Sequence, residues 1–152
     1  MDGFSQVLEN QYGFREAISM AVKSLEPKKS AVINQDYISI VDQITTKLDP
    51  INGGFSGAPK FPTFYIFDVL IYFFNKKKDK KYYEAVDLLL NKICSQGIYD
   101  HVEGGIYRYT IDENWLIPHF EKMLYDNLQF ISLICKCLAI KKNDYFLKKL
   151  KQ

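Results

Sequence analysis

Two stretches dense in glycine and proline, Ile51 to Pro62 and Gly97 to Pro118, divide a chain whose other apolar residues recur largely at helical spacing. Side chains share a helix face every three to four residues and a strand face every two, so the repeat limits which element each segment can form. The pattern confines the chain to an all-α fold of helical hairpins, with long structured loops between them. Loops of such length in a helical protein are uncommon unless they carry function.

From Phe4 to about Leu25 the residues Val7, Leu8, Phe14, Ile18, Ala21, Val22 and Leu25 predict one long helix, or two broken near Gly13. A second helix is expected over about 35–48, with Tyr37, Ile38, Val41, Ile44 and Leu48 on one stripe and Asp49-Pro50 ending it. A third, about 63–75, is apolar nearly all round and therefore buried. A fourth, about 80–95, turns Tyr83, Val86, Leu89, Leu90 and Ile93 inward. After Gly97 the period changes, and Gly105 to Ile111 reads as a short strand or hairpin arm entered through Gly104-Gly105, a β-hairpin-like loop near 104–111. Pro118 suits a first helical position, so the fifth helix is expected over about 118–140, with Phe120, Leu124, Leu128, Ile131, Cys135 and Leu138 as its core stripe. A last short helix covers about 143–150.

With 152 residues, 47% of them hydrophobic and 25% charged, the chain can build a sizeable core. The formal charge is only +2 and the lysines cluster at predicted helix ends rather than along a stripe, which argues against a nucleic-acid partner. Cys94, Cys135 and Cys137 lie in apolar runs without a Cys-x-x-Cys or zinc spacing, as buried thiols in a reducing cytoplasm would. No signal-peptide pattern opens the sequence, and Phe64 to Phe74 is far shorter than the roughly 20 residues needed to cross a bilayer, so no membrane association is expected.

The residue types able to move protons, present a rigid donor fork or stack a ring gather in one segment. Both histidines (His101, His119), the one tryptophan (Trp115) and one of two arginines (Arg108) lie between Ile98 and Asn127. On a helix starting near Pro118, His119, Lys122 and Asp126 share a face, either rimming a cavity or forming an exposed charge ladder. Arg108 is a fork for a carboxylate, phosphate or hydroxyl, or else a salt-bridge partner of Asp100, Asp112 or Glu121. Trp115 is a stacking platform or an apolar plug, and His101 has an adjacent acid in Asp100. The loop at Gly53 to Lys60 is not a P-loop, because Pro59 precedes the lysine and no Ser or Thr follows it; His119-Phe120-Glu121 lacks the second histidine of a zinc-protease helix. Neither a metal nor a cofactor is expected.

Gly53 to Pro62 (Gly-Gly-Phe-Ser-Gly-Ala-Pro-Lys-Phe-Pro), Gly97 to His101 (Gly-Ile-Tyr-Asp-His), Arg108 to Glu113 (Arg-Tyr-Thr-Ile-Asp-Glu) and Trp115 to Asn127 (Trp-Leu-Ile-Pro-His-Phe-Glu-Lys-Met-Leu-Tyr-Asp-Asn) resemble signature segments of the thioredoxin-fused spermatogenesis-associated protein family. The likeness is strongest over about 49–142. Ser56-Gly57 stands where that family commonly has Gly-Ser, and Glu103 where it commonly has a third glycine. Members place a thioredoxin-like domain before an (α/α)6 toroid similar to N-acylglucosamine 2-epimerases and other six-hairpin carbohydrate-active enzymes.

The resemblance implies residues 1–48 as a helical lead-in after a thioredoxin-like domain, and 49–152 as the first hairpins of an incomplete toroid. Twelve helices need well over roughly 200 residues; this chain is then a fragment, with apolar faces open to self-association and no activity alone. In the intact parent the implied chemistry is acid/base work on a sugar-like substrate. His119 leads the proton-transfer candidates, with Asp100, His101, Asp112 and Glu121. Arg108, Tyr109, Trp115, Lys122, Asp126 and Lys60 are the candidate substrate contacts. The alternative is a non-catalytic ligand- or protein-binding platform serving the fused thioredoxin-like domain.

Overall fold

The computed structural model describes residues 13–23 and 36–151. Two compact units divide the chain between Asp36 and Tyr37. In the first, residues 13–23 form helix α1, which carries Phe14, Ile18 and Val22 at spacings of four. The parts of the first expected helix before Gly13 and after Lys23 lie outside the described residues, as does the expected start of the second at Gln35.

The second unit contains α2 (Tyr37–Thr45), α3 (Phe64–Lys77), α4 (Lys80–Ser95), a two-stranded sheet of β1 (Tyr109–Thr110) and β2 (Pro118–His119), α5 (Leu124–Ile140) and α6 (Asp144–Lys149). The described residues are mostly helical with one small antiparallel hairpin, the expected class. α3 and α4 make a helical hairpin through the tight turn at Lys78-Asp79. Lys78 adopts φ 60° and donates its N–H to Phe74 O at 2.7 Å, while the Asp79 side chain caps α4 by accepting from Lys81 N–H. The Asn143 side chain caps α6 in the same way, accepting from the N–H groups of Tyr145 and Phe146.

The core lies where α3 packs on α4 and α5. Phe64, Phe67 and Leu70 of α3 meet Tyr82, Val86, Leu89 and Ile93 of α4 and Phe130, Leu133 and Ile134 of α5, all buried. Burying one such side chain contributes about 1.5–3 kcal/mol, so this cluster is the main driving force of the unit. In α4 it is Tyr82 that is fully buried, where the expected stripe had Tyr83, which is half-buried.

The fifth helix departs from expectation in two ways. It begins at Leu124 and not at Pro118, because the preceding backbone is already hydrogen-bonded in a hairpin. Tyr109 pairs with His119 and Thr110 with Pro118, Ile111 N–H donates to Ile117 O at 3.0 Å, and Arg108 N–H donates to Glu121 O at 2.8 Å. Pro118 lacks an N–H and is tolerated at such a short strand's edge as readily as at a helix start. The inward face is also different: Phe130, Leu133, Ile134 and Cys137 are buried, whereas Leu124, Leu128, Ile131 and Cys135 of the expected stripe are exposed, as is Phe120. A helix apolar nearly all round offers two usable faces, and contact with α3 selects between them.

The long loops are structured. Tyr99 and Ile106 form an antiparallel bridge around a tight turn, Lys60 and Thr110 form another, and Ile98 N–H donates to Trp115 O at 3.0 Å. The backbones at Gly97 and Leu116 run so close that a Cβ on Gly97 would lie 2.1 Å from Leu116 O, which only glycine avoids.

Candidate functional site

The segment from Ile98 to Asn127 does not form one cluster. It distributes its polar side chains over a buried lock, a loop clamp and an open cleft.

In the lock, the Lys60 ammonium donates to Asp49 Oδ2 at 2.6 Å and lies 5.1 Å from the centroid of the Trp115 ring. Lys60 is 2% exposed and Trp115 fully buried, with its indole N–H donated to Asn52 O at 2.8 Å. Burial opposes ionisation of Asp49, but the Lys60 ammonium and the N–H groups of Asn52 and Ile51 outweigh it and bring its pKa down to about 2. Trp115 is therefore the plug of the two sequence alternatives, not the stacking platform. Neither it nor Lys60 is within reach of a solute, which corrects their expected place among the substrate contacts.

The clamp is built on Asp100. Its Oδ1 accepts from the N–H groups of Val102 and Glu103, and its Oδ2 from the Lys122 ammonium at 2.6 Å and the Tyr107 hydroxyl at 3.2 Å. Lys122 also donates to Gly104 O at 2.9 Å. The Lys122 contact and these N–H donors hold the Asp100 carboxyl well below the ordinary carboxylate range. His101 turns away from its neighbour: its Nε2 lies 3.0 Å from Gln96 O, and its Nδ1 is 3.4 Å from the Lys149 ammonium. Asp112 plays the part of Asp100 in the next loop, accepting from the N–H groups of Asn114, Leu116 and Ile117. Burial disfavours its charge, yet those donors leave its pKa lowered.

The cleft lies between the start of α3 and the first turns of α5. It has a volume of about 340 Å3 and is lined by Phe61, Pro62, Thr63, Tyr65, Arg108, Tyr125, Asp126 and Gln129. The Arg108 guanidinium is held at its edge by Glu121, with Nη1 3.1 Å from Oε2, so of its possible salt-bridge partners the fold selects Glu121. Beyond Glu121, at 3.9 Å, lies Nδ1 of His119. The His119 ring stacks on Tyr109 (centroids 4.9 Å, 10° between planes), and Tyr109 stacks in turn on Phe61 of the cleft wall (4.7 Å, 26°). His119, Lys122 and Asp126, expected on one helix face, thus go to three places, because only Asp126 lies on the helix.

Two side-chain oxygens at this cleft, Thr63 Oγ1 and Asp126 Oδ2, are buried without a hydrogen-bond partner. Such groups are rare because each costs about 1–3 kcal/mol. Burial raises the Asp126 pKa, with Glu121 adding to the shift and Arg108 opposing it. Thr63 also has φ 45°, ψ 45°, a left-handed conformation that a β-branched residue adopts only under strain of about 1–3 kcal/mol. Two unsatisfied oxygens and one strained backbone position thus gather at this open cleft. Thr63, Tyr125 and Gln129 were not singled out in the sequence; only the placement of Asp126 and Arg108 together draws attention to them. Among the described residues no three His, Cys, Asp or Glu side chains converge to hold a metal ion, and none of the helices is long and apolar enough to cross a membrane.

Comparison with known proteins gives this arrangement a family. Spermatogenesis-associated protein 20 of Rattus norvegicus is 33% identical over 136 residues, a match covering 87% of this chain. The Homo sapiens protein of that name is 32% identical over 136 residues, again 87% of the chain. The chain belongs to the spermatogenesis-associated protein 20 family, matching one segment of it. An uncharacterized protein of Caenorhabditis elegans is 35% identical over 119 residues, 73% of the chain. The chain spans 17% of the length of the rat and human relatives. No family model matches it. A match covering 87% of the chain includes the cleft residues from Phe61 to Gln129 wherever it begins, so the cleft lies within the part shared with spermatogenesis-associated protein 20.

Proposed function

We propose that the cleft between α3 and α5 binds a sugar-like substrate, and that the intact protein carries out acid/base chemistry on it. In this reading the helical hairpins are the first part of an (α/α)6 toroid like that of N-acylglucosamine 2-epimerases, with a thioredoxin-like domain preceding it. The observation that carries the proposal is the pair of unsatisfied buried oxygens, Thr63 Oγ1 and Asp126 Oδ2, beside the Arg108 fork. Polar groups of this kind, set among aromatic walls such as Phe61, Tyr65 and Tyr125, suit a ligand with hydroxyls on its edges and apolar faces.

Roles follow from what each carboxyl already holds. Asp100 and Asp112 accept from several fixed donors and keep low pKa values, which suits positioning more than proton transfer. Asp126, raised by burial, suits an acid, and His119 communicates with the cleft through Glu121 and Arg108. Turnover of a panel of neutral and modified sugars by the full-length protein, compared with its His119→Ala and Asp126→Asn variants, tests this. Lost turnover with retained folding supports acid/base catalysis; unchanged turnover removes both residues from it. The 152-residue chain alone is expected to show none.

A second reading, a non-catalytic platform for ligand or for the thioredoxin-like domain, draws on the lock and clamp. Lys60, Asp49, Trp115, Asp100 and Lys122 hold loops, and none of them lines the cleft between α3 and α5. Sugar binding by the full-length protein without turnover of any would favour it.

A further inference from the structure

We infer that the cleft selects an uncharged polyol over an anionic sugar, with Thr63 and Asp126 as the residues that set this preference. The inference rests on the sugar-binding reading of the cleft and goes further by fixing the charge class of its ligand.

Among the described residues Arg108 is the one cation lining the cleft, and a sugar phosphate or sugar acid would need it as its counter-ion. Its guanidinium is already engaged by the Glu121 carboxylate at 3.1 Å, so the positive charge at the rim is offset before any ligand arrives. Asp126 faces the same space. If it is ionised, the three groups together carry one net negative charge and repel an anion; if it is protonated, they carry none and offer an anion no net attraction. Neutral hydroxyls meet no such obstacle. A hydroxyl both donates and accepts, so it can pair with a carboxyl oxygen in either protonation state and with a threonine hydroxyl. The carboxyl torsion of an aspartate is soft, which lets the buried Asp126 Oδ2 turn toward a ligand at little cost. Both unsatisfied groups find partners in a polyol; toward an anion the Thr63 hydroxyl can donate, but Asp126 can do so only when protonated and repels it when ionised.

Isothermal titration of the full-length protein with glucose, xylitol, gluconate and glucose 6-phosphate tests this, with thermal melts confirming that each variant folds. The neutral compounds should bind at least about tenfold more tightly than the two anions, the scale expected when a fixed polar group is matched or left unpaired. Thr63→Val, which keeps the shape, and Asp126→Asn should each weaken glucose binding by about tenfold. Glu121→Gln, by freeing Arg108, should bring gluconate and glucose 6-phosphate to within about threefold of glucose, as a charge-assisted bond gained by the anions dictates. Tighter binding of the anions by the unmodified protein would overturn the inference and leave the sugar reading standing. Failure of all four compounds to bind would overturn both. Unchanged glucose binding by both folded variants would remove Thr63 and Asp126 from the preference.

Discussion

The side-chain amide of Asn127 pairs with both main-chain groups of Ile106: Oδ1 accepts the Ile106 N–H at 2.8 Å and Nδ2 donates to the Ile106 carbonyl at 3.1 Å. One side chain thus takes the place of a neighbouring strand, joining the first turn of α5 to the loop that carries Asp100 and Arg108. Space for it is kept by Gly105, where φ is +80° and a Cβ would lie 2.8 Å from Asn127 Oδ1. Asn127→Asp keeps the acceptor and removes the donor, so the Ile106 carbonyl loses its partner. Chemical denaturation should show a loss of about 1–3 kcal/mol. A variant as stable as the parent would mean that water replaces the amide.

Lys60 and Asp49 form the most deeply buried charge pair described here. Lys60→Met leaves the Asp49 carboxylate without its cation and should destabilise the unit by about 3–5 kcal/mol in urea melts. Asp49 has a folded pKa of about 2, below its ordinary value near 3.8. Its contribution to stability is therefore complete above that ordinary value and disappears as the pH falls toward 2. Acid titration of Lys60→Met should show this dependence weakened, and an acid limb identical to the parent's would count against the assignment.

Asp126 has the opposite sign. Its folded pKa is raised by burial, so it favours the folded state most at pH below the ordinary carboxylate range, and stability declines as the pH rises through the folded pKa. Asp126→Asn removes the buried charge. Thermal melts at neutral pH should place the variant above the parent, with the difference shrinking in acid. Lower stability at neutral pH would show that the carboxylate has a partner in solution.

Two apolar stripes face outward, Tyr65, Val69 and Tyr72 on α3 and Leu124, Leu128 and Ile131 on α5, tied across by the Lys136–Asp68 ion pair. Exposed apolar area of this extent favours association. The chain is expected to elute from size-exclusion chromatography with light-scattering detection as a concentration-dependent mixture of species. Leu128→Lys should shift that mixture toward monomer without lowering the melting temperature. A single monomeric species at all concentrations would refute the expectation.

The helical class, the hairpin of α3 and α4 and the place of the Gly-rich loops between helices were legible in the sequence. α4 runs from Lys80 to Ser95, as the apolar stripe and the change of period after Gly97 predict. α5 was misread at its start and on its inward face for physical reasons. Pro118 fits a strand edge as well as a helix start, and a helix apolar on both sides carries no signal for which side turns in. The candidate site was half legible. Crowding of histidines, arginine and tryptophan drew attention to the segment that supplies Arg108 and Asp126 to the cleft, but Asp100, Asp112, Lys60 and Trp115 hold loops, while Thr63 and Gln129 carry no sequence signal at all.

The division between the two levels is physical. Periodicity, turn residues and composition act over a few neighbouring positions, and they determined which segments are helices, where the chain must turn and which residue types are present for chemistry. Everything requiring distance across the fold waited for the tertiary structure. Only packing could join Lys60 to Asp49 near Trp115, bring Glu121 between His119 and Arg108, and bring Thr63 and Asp126 to one cleft with their oxygens unpaired. Burial and charge pairing depend on neighbours remote in sequence, and these made one aspartate a loop clamp and left another beside an open cleft.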